Sequence, residues 1–237
     1  ISIFMYIFIL FVLILVYLLI KRKQKLEYFN TPKDIFFIHI PKTAGSSIKN
    51  TFRIPSSHHC DAYPRKNKIN IAIIRNPYYR FLSIFKHLKD RTNAKNDVTN
   101  DLTYYNDIYD FVDSYFDINH KYHLKTKLLL TWKNEDFDLL KYHKNRYNNG
   151  CVKDYKCIHW APQSLYVKNP KDVQYLLRFE NLDSDIEKIQ NLGVLPKKKL
   201  LKINVTNSKN IKINDKIRKL VEIIYKDDFK LWEQSGL

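Results

Sequence analysis

Between Pro41 and Ser47 the chain reads Pro-Lys-Thr-Ala-Gly-Ser-Ser, so a cation, a glycine and the hydroxyls of Thr43, Ser46 and Ser47 are gathered in one short run. Such a run is suited to holding an oxyanion, a phosphate or a sulfate. Backbone N–H groups at the start of a helix are unpaired, and the helix dipole favours negative charge there. Lys42 adds a mobile cation, and Thr43, Ser46 and Ser47 add hydroxyl donors. The common nucleotide loop, GxxxxGK[ST], carries its lysine at the helix start. Here Lys42 precedes Gly45, so that loop is absent. The plainer alternative is an ordinary strand-to-helix turn with a surface lysine.

A second arrangement of this kind follows. The stretch "INIAII", Ile69 to Ile74, reads as a buried strand and ends on Arg75-Asn76-Pro77. A guanidinium grips a phosphate through two parallel N–H bonds. Ser83, two helical turns further on, offers a hydroxyl to the same anion. Two such turns on neighbouring strands suit one ligand with two separated anionic groups.

These turns need elements to position them. Asp34 to Ile40 reads as a buried strand, and Ser46 to Arg53 as a short helix whose N-terminus faces the first turn. After Pro77, residues Phe81, Leu82, Phe85 and Leu88 fall at helical spacing. Asp107 to Phe116 and Tyr122 to Leu130 read as helices, and Gln174 to Phe179 as a third strand. The stretch "NLDSDIEKIQNLG" opens on an Asn or Asp cap and closes on Gly193. A last amphipathic helix is predicted from about Asp215 to Trp232. Short strands alternating with helices predict an α/β domain with a mainly parallel central sheet flanked by helices. Ligands in that class bind beyond the carboxyl ends of strands, where both turns fall. His39, inside the first predicted strand, reads as a core residue.

Residues 1–20 contain no charge, and Lys21, Arg22, Lys23 and Lys25 follow. About twenty helical residues span ~30 Å, the hydrocarbon thickness of a bilayer. A cleaved leader would have a shorter apolar core and a small-residue cleavage site. The expectation is one transmembrane anchor over 1–20, a basic and polar stalk over 21–33, and a single domain over 34–237. Taken alone, the basic flank keeps the domain on the cytoplasmic side. The 41 Lys and Arg against 24 Asp and Glu give a formal charge of +17. That field favours a polyanion, whether nucleic acid, anionic lipid or acidic glycan. A compositional drift towards Lys, Asn, Ile and Tyr would raise the charge without any partner. Three cysteines exclude a disulfide scaffold.

"FIHIPKTAGSS" followed by "IIRNPYYRFLSIF" resembles the paired signature of the Golgi-type carbohydrate sulfotransferases. The likeness continues in "HWAPQSLYV" (159–167), "YLLRFENLDSDIEKI" (175–189) and "INVTNS" (203–208). It implies a P-loop-like α/β domain that moves a sulfuryl group from PAPS (3'-phosphoadenylyl sulfate) to a sugar hydroxyl. Under it the turn Pro41 to Ser47 holds the 5'-phosphosulfate, with Lys42 neutralising the bridging oxygen and Thr43, Ala44, Gly45, Ser46 and Ser47 cradling the phosphate. Arg75 and Ser83 hold the 3'-phosphate, and no metal is needed. The resemblance to heparan 2-O-type members also implies a histidine base shortly before the second strand. His59 fits the spacing best, with His58 next to it. It further implies a disulfide in the region of Cys151 and Cys157, a membrane anchor, a lumenal Golgi location at odds with the basic flank, and an acidic glycan rather than nucleic acid as partner. Asn204-Val205-Thr206 is a glycosylation sequon, while the same Asn204 lies in a family motif where a buried role competes. Arg178 and Glu180 match a strand end that braces the site. Lys197, Lys198 and Lys199 either touch a glycan or form a solvated loop. A non-catalytic lectin for acidic glycans is the alternative from another class. A nucleotide kinase is disfavoured by the missing phosphate loop and by the lack of a magnesium-binding acidic motif.

Overall fold

The computed structural model describes residues 10, 12–19, 21, 34–56, 64–92, 101–133, 158–203 and 211–237. Its centre is a parallel three-stranded sheet in the order β1 (Ile35–Ile38), β2 (Ile69–Ile74), β3 (Tyr175–Arg178). Ile38 lies beside Ala72, and Ile74 beside Arg178. Because the strands run the same way, their carboxyl ends share one edge, and the segments after Ile38, Ile74 and Arg178 leave from it.

The sheet is buried on both faces, as parallel sheets require. On one face Phe37, Ile71, Ile73 and Leu177 pack against helix α1 (Gly45–Phe52) and against the helix that follows β3. On the other, Ile38, Ala72 and Ile74 meet Ile158, Ala161 and Tyr166. Ile71 and Ile73 face one way and Ala72 and Ile74 the other, the two-residue period of a strand buried on both sides.

A helical layer extends the second face. It comprises α2 (Pro77–Thr92), α3 (Ile108–Phe116), α4 (His123–Leu130), α6 (Asp215–Ile224) and α7 (Lys226–Glu233); α5 (Leu182–Asn191) lies on the first face. Phe81, Leu82, Phe85 and Leu88 are all buried in this layer, as their spacing predicts. Asn76 caps α2 by accepting from the Tyr78 N–H at 3.0 Å, and Pro77 takes the first helical position, where its missing N–H costs nothing.

Three expectations about elements change. β1 stops at Ile38, because the Ile40 N–H turns back to the Ile38 carbonyl; His39 lies outside the strand, half-buried. The last helix is two helices, broken at Tyr225, whose buried ring sends its hydroxyl to the Trp160 carbonyl at 2.9 Å. Helix α5 begins without a side-chain cap from Asn181; instead Asp185 accepts from the Arg178 N–H at 2.9 Å. Its end follows expectation. Gly193, at φ 74, allows the Val194 N–H to reach the Ile189 carbonyl and its own N–H to reach that of Gln190, the left-handed closure that favours glycine.

Residues 12–19 are helical and their apolar side chains are exposed. Among the described residues no helix is long and apolar enough to cross a membrane. Much of the span 1–20 and nearly all of the stalk lie outside the described residues.

Candidate active site

The first turn is built from backbone in unusual conformations. Lys42 and Ala44 both take positive φ, 68° and 65°, a conformation that L-residues adopt at a cost. Such turns store strain where surrounding contacts over-determine them, and here the contacts are identifiable. Thr43 is buried, and its hydroxyl donates to the Ile40 carbonyl at 2.9 Å. Gly45 is required for a different reason. A Cβ at this position would lie 1.9 Å from Cδ2 of His39, so the imidazole packs on the bare glycine. His39 thus shapes the turn from behind.

Not all the predicted hydroxyls face one anion. Ser47 is buried, and its Oγ accepts from the Ile203 N–H at 3.2 Å; one turn later Thr51 accepts from the Leu201 N–H at 3.0 Å. The two hydroxyls strap residues 201–203 across α1. Ser46 stands half-exposed in the first helical turn. Lys42 is half-buried.

The second turn meets the first. Arg75 continues from the end of β2, and its Nη1 donates to the Lys42 carbonyl at 3.2 Å. Its guanidinium lies over the Phe179 ring, 4.3 Å from the centroid, and its Nε is buried with no hydrogen-bond partner among the described residues. Burial lowers the Arg75 pKa to about 10, with Glu180 opposing the shift and Arg80 adding to it. An anion at this guanidinium would satisfy the orphaned donor and relieve the desolvated charge. Ser83 lies on α2 with no exposed surface.

Behind these turns sits a buried polar network that the sequence reading missed. Arg80 is wholly buried and donates to the carbonyls of Pro41 (3.2 Å), His159 (3.0 Å) and Ala161 (2.9 Å). Its Nη1 is 3.9 Å from Asp228, also wholly buried. Asp228 accepts from the N–H groups of Gln163 and Ser164, both at 2.8 Å. Gln163 in turn pairs with the Arg75 main chain, accepting its N–H and donating to its carbonyl, each at 2.9 Å. One signal for Arg80 was available: it stands four and eight residues before Ile84 and Leu88, on the side of α2 that faces the core. Nothing in the sequence marked Asp228 or Gln163 as its companions.

The segment after β3 braces the same edge. Glu180 accepts from the Asn76 N–H at 2.9 Å and from Trp232 Nε1 at 3.0 Å. Arg178 donates to the Trp232 and Glu233 carbonyls and lies 4.7 Å from the Trp232 ring centroid. Glu180 thus ties the turn after β2 to α7, and Arg178 ties β3 to the end of that helix. Lys197, Lys198 and Lys199 are exposed. His58, His59, Cys151, Cys157 and Asn204 lie outside the described residues. Among the described residues no group of three or more His, Cys, Asp or Glu is placed to hold a metal ion.

The family model described as the Sulfotransferase family matches residues 28–233, most of the chain. The chain belongs to the sulfotransferase family and is a transferase that moves sulfuryl groups. No match is found among curated proteins or among solved structures.

Proposed function

We propose that this sulfotransferase takes its sulfuryl group from PAPS and passes it to a hydroxyl of a carbohydrate acceptor, an acidic glycan. The observation that carries the reading is the meeting of two anion-type turns, with Arg75 Nη1 on the Lys42 carbonyl, at the carboxyl edge of a parallel sheet. A donor with a 5'-phosphosulfate and a 3'-phosphate has two anionic groups to place there. The strained turn from Pro41 to Ser47 takes the first, and Arg75, with its unpartnered Nε, takes the second.

Lys42 neutralises the bridging oxygen as the sulfuryl group leaves it. His59, or His58 beside it, accepts the proton of the acceptor hydroxyl as that oxygen bonds to sulfur. The work is positioning plus electrostatic stabilisation of an in-line displacement. Residues 1–20 anchor the chain in the Golgi membrane with the domain in the lumen, where Cys151 and Cys157 pair and Asn204 is open to glycosylation.

The test is transfer of labelled sulfate from PAPS to a panel of glycosaminoglycans and neutral glycans by the full chain in detergent. The expected result is label on an acidic glycan, reduced ~10²-fold or more by Lys42→Ala or His59→Ala. Label on no glycan, with a well-folded protein, would overturn the acceptor assignment.

A further inference from the structure

The Gln163 carboxamide does for Arg75 what a neighbouring strand would do for a residue inside the sheet. It accepts the Arg75 N–H through Oε1 and donates to the Arg75 carbonyl through Nε2, each at 2.9 Å. β1 has already ended, its last pair being Ile38 with Ala72, so Arg75 lies beyond the reach of that ladder. Gln163 has no exposed surface, and its own N–H is held by Asp228 at 2.8 Å. Asp228 is fixed by the neighbouring Ser164 N–H and by its position 3.9 Å from Arg80. The result is a buried chain from α7 through Asp228 and Gln163 to Arg75, and from Arg75 Nη1 to the Lys42 carbonyl.

From this we infer that Gln163 is a positioning residue for the anion site at Arg75: it fixes the main chain from which the guanidinium projects, and so sets the preference for a ligand with a 3'-phosphate. The inference rests on the assignment of Arg75 to that phosphate. A side chain that merely supported the fold would pay its energy into stability alone. Two hydrogen bonds to the peptide of one ligand-binding arginine act instead on where that arginine points.

The experiment compares adenosine 3',5'-bisphosphate with adenosine 5'-monophosphate by titration calorimetry on the full chain in detergent. The two probes differ only in the 3'-phosphate. Wild type is expected to prefer the bisphosphate. Gln163→Leu should reduce that preference ~10-fold while leaving monophosphate affinity unchanged, the effect of losing two hydrogen bonds that orient one contact. Adding it to Arg75→Ala should change nothing more. Gln163→Asn, which keeps both polar groups one methylene short, should show the same loss and serves if the Leu variant fails to fold. An unaltered preference in the folded variant, or an equal loss for both nucleotides, overturns the positioning role while leaving the donor assignment standing. A wild type that binds both nucleotides equally overturns the assignment of Arg75 to a 3'-phosphate, and this inference with it.

Discussion

Arg75 Nη1 donates to the carbonyl of Lys42 at 3.2 Å, joining the end of β2 to the strained turn after β1. The two residues lie far apart in sequence, each just beyond the carboxyl end of a neighbouring strand. Their contact makes one site of two turns.

Removal of the Arg75 side chain should weaken binding of adenosine 3',5'-bisphosphate by ~1.5–3 kcal/mol, the scale of a charge-assisted contact. Calorimetry of Arg75→Ala measures it. Unchanged affinity would take Arg75 out of the anion site and leave it a structural role, stacked on Phe179 and bonded to the Lys42 carbonyl.

Gly45→Ala should destabilise the turn by ~1–3 kcal/mol, because the added methyl meets the His39 ring. His39→Ala in the same chain should recover most of that loss, since the obstacle is gone. Thermal unfolding of the two single variants and the double variant gives the coupling. Additive losses would show that His39 is not what demands a glycine here.

Thr51→Val should cost ~1 kcal/mol and expose the Leu201 amide to exchange, because that N–H loses its acceptor on α1. Hydrogen exchange at Leu201 and Ile203 reports it. Protection that survives the substitution would mean the strap is held by other contacts.

Arg80→Met should cost ~3–5 kcal/mol, leaving Asp228 buried without its counter-charge. The same pair makes a pH prediction. Burial raises the Asp228 pKa, outweighing the charge of Arg80 and the N–H groups of Ser164 and Gln163. A carboxyl raised above its unfolded value near ~3.9 contributes stability that is complete below that pH and is lost as pH rises through the folded value. Stability of the wild type relative to Asp228→Asn should therefore shrink as pH rises above about 4. Growth of the difference over that range would show that the ion pair outweighs burial.

The sheet was legible because Phe36–Ile38 and Ile69–Ile74 carry their burial in residue type, and the two turns because Lys42 and Arg75 interrupt apolar runs at strand ends. The role of the hydroxyls was not. Thr43 and Ser47 look alike in a string of small polar residues, yet one closes its own turn and the other holds a segment that arrives late in the chain. The break at Tyr225 was hidden as well. The apolar period of the last helix runs through it, and the partner of the Tyr225 hydroxyl, the Trp160 carbonyl, comes from a distant segment. Arg80, Gln163 and Asp228 illustrate the same limit: a buried polar group is explained by its partners, and those partners come from three distant segments.

Titration of the full chain with adenosine 3',5'-bisphosphate and with ATP decides whether the two turns hold a donor with a 3'-phosphate. Affinity in the ~micromolar range is expected for the bisphosphate and little for ATP. Binding of neither nucleotide by the folded protein, or a preference for ATP, would contradict that reading.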